Sequence, residues 1–156
     1  MHVSGEHEER GIEATLERCL QELSRVERYP EWYPGVQHVD VRSRDAQQRP
    51  LDVSLMVYTG MSRFGEIPLE LQYEWRQGDP PRLAWRRIGG APTRLEALWT
   101  FSADERGTRV GLRFDLEIHT NLPGFVERQL GLQEKIVELM IHRPPERLAA
   151  RAQEGS

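Results

Sequence analysis

The chain has 156 residues, of which 38% are hydrophobic and 29% are charged, and its formal net charge is -4. This length predicts one domain over residues 1–156, and the composition excludes collagen-like and wholly disordered chains. The single cysteine cannot form an internal disulfide, which also excludes a disulfide-stabilised scaffold.

The N-terminal part of the chain predicts a poorly ordered end followed by two short helices. Residues 1–11 are polar and rich in glutamate, so at most a weak edge strand is expected there, ending near Ile12. Thr15 is a suitable N-cap, and helical spacing follows it at Leu16, Cys19, Leu20 and Leu23. A second short helix is predicted over residues 25–31, before a turn at Pro34-Gly35.

Apolar and polar residues then alternate with a period of two from Val36 to His119, which is typical of strands that are buried on one face. Turns rich in Gly, Pro and Asp divide this region into six segments of strand length. Six strands joined by hairpin-length turns predict an antiparallel meander, and the strand near Ile12 makes a seven-stranded sheet.

A long helix is predicted after the meander, with Pro123 in its first turn and Pro144-Pro145 at its end. Residues 145–156 are therefore expected to be poorly ordered. At about 100° per residue, the apolar side chains cover a little over half of the helix circumference. Gln129 and Gln133 fall inside this apolar arc, so both amides are expected to face the sheet.

Several short segments follow one another in a characteristic order and spacing: Ala14-Thr15-Leu16, Glu27 to Trp32, Val36 to Val39, Leu83 to Arg86, Gly107 to Val110 and Leu122-Pro123-Gly124. Together they resemble the START-like (SRPBCC) superfamily of polyketide cyclase/dehydrase and coenzyme Q-binding proteins. The resemblance covers about residues 12–142 and implies an α+β helix-grip fold of the START/Bet v 1 type, in which the sheet wraps around the long C-terminal helix.

The resemblance implies binding of a hydrophobic small molecule, such as a polyketide, isoprenoid or lipid, in an internal cavity. A carrier or biosynthetic accessory protein is the preferred interpretation. One alternative is a polyketide aromatase/cyclase, a cyclase/dehydratase that acts on a poly-β-ketone, although Val36 stands about where catalytic relatives have a tyrosine. Another alternative is an interaction module associated with ribosomes. Whether the protein is an enzyme stays open at this point.

The apolar sheet face opposite the helix stripe predicts a dry, elongated cavity lined by Leu71, Tyr73, Trp85, Trp99 and Phe114. Tyr73 and Arg87 are the catalytic candidates, because they are the ionisable side chains on the inward strand faces. The full set of predicted ligand-binding residues is Trp32, Tyr33, Leu71, Tyr73, Trp75, Trp85, Trp99, Phe114, Phe125, Gln129 and Gln133.

No metal site or cofactor is predicted. Asp115, Glu117 and His119 share one face of the last strand, but that face is the solvent side and also carries Arg109 and Arg113. This pattern indicates a salt-bridged outer surface and lacks a second cluster of ligands.

The expected partner is a hydrophobic small-molecule ligand, and the oligomeric state is expected to be a monomer or homodimer. A mild acidic excess disfavours binding to nucleic acid. No apolar stretch approaches the roughly 20 residues of a membrane-spanning helix, so stable membrane insertion is not expected. The N-terminal residues lack the pattern of a secretory signal, which predicts a cytoplasmic location.

Overall fold

The computed structural model describes residues 1–60, 65–119 and 123–154, without the side chains of Gln129 and Leu130. Within these residues, seven strands form one antiparallel sheet in the order β1-β7-β6-β5-β4-β3-β2. The predicted six-stranded meander is confirmed, because β2 to β7 pair in sequence order. The strands are β1 (His2–Ile12), β2 (Val36–Val41), β3 (Asp52–Tyr58), β4 (Glu66–Arg76), β5 (Arg82–Gly90), β6 (Pro92–Ala103) and β7 (Thr108–Ile118).

The N-terminal residues are ordered, in contrast to the prediction for residues 1–11. They form β1, an edge strand of 11 residues that pairs with β7 from His2 opposite Glu117 to Ile12 opposite Thr108. Backbone pairing with β7 fixes this strand although few of its side chains are apolar, because an edge strand needs hydrogen bonds on one side only.

Two short helices connect β1 to β2, as the sequence predicts: α1 (Leu16–Ser24) and α2 (Tyr29–Trp32), with one 3₁₀ turn (Val26–Arg28) between them. Thr15 is the N-cap of α1, where its side chain accepts a hydrogen bond of 3.1 Å from the backbone N–H of Arg18. The capping bond satisfies one of the amides that a helix start leaves unpaired.

The C-terminal region is a chain of helical segments that continues past Pro144-Pro145, so the predicted helix end there is wrong. The segments are α3 (Gly124–Leu130), α4 (Leu132–Val137), a π-helical turn (Glu138–His142) and α5 (Arg143–Glu154). Both prolines lie in the first turn of α5, where their missing N–H groups remove no bond of that helix. Leu148, Ala149 and Ala152 are buried, which anchors residues that were expected to be poorly ordered.

The core lies between the inner face of the sheet and the C-terminal helices. Inward side chains alternate along each strand, and the helices cover them with Ile136, Met140, Ile141 and Leu148. The antiparallel sheet therefore wraps around a long C-terminal helical element, which is the helix-grip arrangement predicted from the sequence.

Candidate ligand-binding site

A cluster of aromatic side chains occupies the interior where α2 meets the middle of the sheet. Tyr73 on β4 stacks on Trp85 of β5 with ring centroids 5.2 Å apart, and Trp85 meets Trp99 of β6 edge-on at 6.0 Å. Tyr33, at the end of α2, stacks on Tyr29 at 4.9 Å and reaches Trp85 at 6.0 Å. We refer to these five residues and Trp32 as the aromatic cluster.

The tyrosine hydroxyls of the cluster form a short hydrogen-bonded chain. Tyr73 donates to the hydroxyl of Tyr29 at 3.2 Å, and Tyr29 donates to the backbone carbonyl of Leu23 at 2.5 Å. Burial raises the pKa of both Tyr29 and Tyr73 well above 10. Tyr73 therefore stays neutral at physiological pH, its proton is already in use, and it cannot act as a general base.

Three indole N–H groups in the cluster have no hydrogen-bond acceptor among the described residues. They belong to Trp32, Trp85 and Trp99, and each nitrogen is buried. Trp75, next to the cluster, differs because its indole donates to the carbonyl of Pro50 at 2.8 Å. A buried donor without a partner costs roughly 1–3 kcal/mol, so three in one apolar region require an explanation.

The interior is packed closely around most of the cluster. Leu71 and Trp99 are 0% exposed, and Tyr73 is 1% exposed. A void that could hold water would leave accessible surface on the side chains that line it. The elongated cavity predicted along these residues is therefore wrong for this structure. Trp85 and Phe114 keep small accessible areas, at 5% and 4% exposure. They lie on either side of Ala97, which pairs with Trp85 of β5 and with Phe114 of β7.

A separate cavity lies on the other side of the sheet. It has a volume of about 690 Å³ and is bounded mainly by outward-facing side chains of β1 and β4 to β7. Charged side chains of both signs line it, among them Arg76, Arg86, Arg113, Glu74 and Glu96. This mixed polar surface does not match the apolar interior that the sequence predicts for the ligand.

The residues predicted from the C-terminal helix do not join the aromatic cluster. Phe125 on α3 is 63% exposed. Gln133 is exposed on α4 and its amide donates to the carbonyl of His2 at 3.0 Å, so the prediction that it faces the apolar interior is wrong. The Gln129 side chain lies outside the described part of the structure.

Arg87, the second catalytic candidate, lies on the inner side of β5 opposite Leu71 and is half-buried. Its guanidinium donates to the carbonyl of Pro92 at the β5–β6 turn. The side chain is therefore held against the backbone at the β5–β6 turn.

Outward residues behave as the sequence predicts for the solvent side of the sheet. Asp115 pairs with Arg94 at 2.9 Å and with the His2 ring nitrogen at 3.0 Å. These contacts tie β1, β7 and β6 together across the outer surface.

Sequence reasoning missed Tyr29, whose hydroxyl connects the cluster to the α1 backbone. The residue lies in the Tyr-Pro segment that carries the resemblance, but the direction of its side chain depends on how the 3₁₀ turn and α2 pack on the sheet. Side-chain spacing alone gives no signal for that packing.

An antiparallel sheet that wraps around a C-terminal helix and encloses an aromatic interior defines a START-like helix-grip protein. The chain belongs to the polyketide cyclase/dehydrase and lipid transport family, whose model matches residues 12–143. Among curated proteins, no relative matches this sequence.

Solved structures share the fold at low sequence identity. A START superfamily protein from Mycobacterium smegmatis superposes with a TM-score of 0.70 and 18% identity over 99% of each chain. The Zhui aromatase/cyclase from Streptomyces sp. R1128 gives 0.75 and 13% identity over 99% of this chain and 94% of its own. A STAR-related lipid transfer protein from Xanthomonas axonopodis superposes with a TM-score of 0.68 and 14% sequence identity. The match covers 96% of this chain and 84% of the other.

None of the helices in the described residues is both long enough and apolar enough to cross a membrane.

Proposed function

We propose that this protein binds a hydrophobic small molecule that carries at least one oxygen acceptor, and that it acts as a carrier or biosynthetic accessory protein. The ligand class is a polyketide, isoprenoid or lipid, held between the sheet and the C-terminal helices. The observation that carries the proposal is the set of buried indole donors without a partner at Trp32, Trp85 and Trp99. Membership of a family of cyclases and lipid transport proteins supports the same class of ligand.

The chemistry of the aromatic cluster suits such a ligand. Ligand pockets combine mostly apolar walls with a few polar groups that fix orientation. Aromatic faces supply the walls here, and a ketone or quinone oxygen would accept a hydrogen bond from Trp85 or Trp99. This hydrogen bond would remove the free-energy penalty of a buried donor without a partner, which is roughly 1–3 kcal/mol for each group.

Binding requires the interior to open, and α3 is the segment best placed to move. It packs mainly on α4 and leaves Phe125 exposed, although that side chain belongs to the apolar arc of the sequence. Gly131, with φ of 62°, separates α3 from α4 in a left-handed conformation that glycine adopts without a steric penalty. Rotation at Gly131 would move α3 relative to α4.

The test uses two probes of the same shape that differ in oxygen content, anthraquinone and anthracene, titrated against the full chain with tryptophan fluorescence as the readout. We expect Trp85→Phe and Trp99→Phe to bind anthraquinone more weakly by up to about tenfold, because a net hydrogen bond contributes about 0.5–1.5 kcal/mol. Anthracene binding should change little, since phenylalanine preserves an aromatic wall.

Trp75→Phe is the matched control, because the Trp75 indole already donates to Pro50 and has no hydrogen bond to offer a ligand. Its anthraquinone affinity should equal that of the original chain. Equal losses for both probes, or an equal loss in Trp75→Phe, would show that the indole donors do not recognise the ligand. Native mass spectrometry of protein purified from its source would identify the natural ligand.

A second candidate function is a polyketide aromatase/cyclase, favoured by the half-buried guanidinium of Arg87 on the inner side of β5. A cation there could stabilise an enolate oxygen of a poly-β-ketone. Tyr73 is not assigned a part in this chemistry, because it stays neutral and cannot act as a general base. Turnover of a poly-β-ketone that is lost in Arg87→Gln, with ligand binding retained, would favour the cyclase over the carrier.

A further inference from the structure

Two histidines and two glutamates meet where the edge strand β1 packs against the C-terminal helices, away from the aromatic cluster. His7 and Glu9 project from β1 toward the helices, and His142 and Glu146 come from the end of the π-helical turn and the first turn of α5. The His7 Nε2 atom lies 2.6 Å from Glu9 Oε1 and 3.9 Å from Glu146 Oε1. The ligand atoms of these three residues lie within 4.8 Å of one another.

We propose that His7, Glu9 and Glu146 bind a first-row divalent transition-metal ion, with zinc as the reference ion, and that the ion clips α5 to the edge of the sheet. Zinc is bound by imidazole nitrogen and carboxylate oxygen at about 2.0–2.2 Å, which places neighbouring ligand atoms roughly 3–3.5 Å apart. Shifts of less than about one ångström in flexible glutamate side chains bring the three atoms to that spacing.

His142 supplies the support that a metal-binding histidine normally has. Its Nδ1 atom lies 2.9 Å from His7 Nδ1, and the two rings meet edge-on with centroids 5.0 Å apart. Histidine ligands usually donate their second ring nitrogen to a neighbouring acceptor, which fixes the tautomer and the ring orientation. In the tautomer in which His7 donates this hydrogen bond from Nδ1, its Nε2 carries no proton and directs its lone pair at the two carboxylates.

The local charge also favours a cation. On the outer side of β1, Glu6 pairs with Arg113 and Glu8 pairs with Arg10 and Arg109. The described part of the chain gives Glu9 and Glu146 no arginine or lysine partner, only the His7 ring.

A proton on His7 Nε2 would form a hydrogen bond with Glu9 at 2.6 Å, but Glu146 at 3.9 Å lies beyond hydrogen-bond distance. A divalent ion would contact both carboxylates and neutralise their shared charge.

Two sequence features coincide with this site. Glu9 is the glutamate of the first strand that faces the helices, and Pro144-Pro145 lies between His142 and Glu146. The π-helical turn before the prolines is a type of distortion that occurs often at functional sites. It ends at His142, so the distortion and the histidine pair coincide.

The test is a zinc titration of the full chain, purified without a histidine tag and stripped with a chelator, using a chromophoric competitor to measure affinity. We expect one zinc ion per chain and a higher melting temperature with zinc present, because an ion that binds the folded state stabilises it. His7→Gln should abolish stoichiometric binding, and His142→Gln should weaken it about 10–100-fold as a supporting residue. Excess magnesium should not displace zinc, because a hard oxygen-seeking ion gains little from an imidazole.

His2→Gln and Glu8→Gln are the matched controls, since both residues lie on the outer side of the same strand. They should bind zinc like the original chain. Glu146→Gln guards against a folding defect, because Glu146 is half-exposed and its variant should fold normally while binding zinc more weakly. The proposal is overturned if no stoichiometric zinc binds, if His7→Gln and His2→Gln bind equally, or if magnesium displaces the zinc.

Discussion

At the scale of single residues, Tyr29 carries two hydrogen bonds where Tyr73 carries one. Tyr29→Phe removes the acceptor of Tyr73 and the donor to Leu23, leaving two buried polar groups without partners. We expect it to lower the free energy of unfolding by about 2–3 kcal/mol, against about 1 kcal/mol for Tyr73→Phe, which removes one bond and leaves Tyr29 bonded to Leu23. Urea denaturation of the two variants measures both values.

The order of the two effects is the informative result. If Tyr73→Phe were the more destabilising, the hydroxyl of Tyr73 would have an additional partner, such as a retained ligand, and the chain from Tyr73 through Tyr29 to Leu23 would not describe its role.

Cys19 is predicted to be chemically inert in the folded protein. It is fully buried on α1, and burial is the main cause that raises its thiol pKa to about 11. At pH 8 about one thiol in a thousand would then be ionised, and the thiolate is the reactive form. Labelling with a thiol reagent at pH 8 should therefore be far slower in the native chain than in urea. Equally fast labelling in both states would show that α1 opens readily.

At the scale of elements, the docking of α5 explains why the chain stays helical beyond Pro144-Pro145. Leu148 is fully buried in the core, and Arg151 reaches the buried carboxylate of Glu22 on α1 at 3.2 Å. Leu148→Ala should lower the free energy of unfolding by about 2–5 kcal/mol, the usual range for such a truncation in a core. Arg147→Ala, on the exposed side of α5, should change it by less than about 0.5 kcal/mol.

Thermal denaturation followed by circular dichroism distinguishes the docked helix from a frayed one. Equal, near-zero effects of Leu148→Ala and Arg147→Ala would mean that α5 is frayed in solution, as the sequence alone predicts.

The strands were predictable because alternation with a period of two is a local signal that burial on one face imposes. The two ends of the chain were not. Val3 and Ile12 are the fully buried residues of β1, which is held by backbone bonds to β7 that leave little trace in hydrophobicity. Pro144-Pro145 suggested a helix end because local rules cannot show that a π-helical turn places both prolines in a new first turn.

The candidate ligand-binding site was predictable in part for the same reason. The inward positions of Tyr73, Trp85 and Trp99 follow from strand alternation, but the partners of their polar atoms depend on packing between distant elements. The predicted orientation of Gln133 failed because it assumed one continuous helix. The left-handed Gly131 and the π-helical turn both interrupt the regular 100° rotation per residue, so the side-chain directions calculated for one continuous helix do not apply.

The pairing of β1 with the C-terminal helices escaped the sequence analysis altogether. His7 and Glu146 are separated by most of the chain, so no spacing rule brings them together. The group of histidines and glutamates forms only because β1 lies along one edge of the sheet and the helical region continues past the prolines into α5.

At the scale of the whole molecule, one core joins the sheet, α1, α2 and the C-terminal helices, and Trp85 lies at its centre. The residue pairs with Tyr73 on one side and Ala97 on the other, in the middle strand of three. Trp85→Ala should lower the free energy of unfolding by about 3–5 kcal/mol, a large part of the roughly 5–15 kcal/mol that holds a domain folded.

Because the core is shared, Trp85→Ala should destabilise every element together, and unfolding monitored by far-UV circular dichroism and by fluorescence of the remaining tryptophans should give one midpoint. Ile88→Ala, at an exposed position of the same strand, is the control and should shift that midpoint little. We expect the loss of stability to exceed any change in ligand preference, since the Trp85 ring contacts Tyr33, Tyr73 and Trp99 even without a ligand. An unchanged melting temperature combined with abolished ligand binding would instead make Trp85 a dedicated binding residue, and separate midpoints for the two probes would divide the core into independent parts.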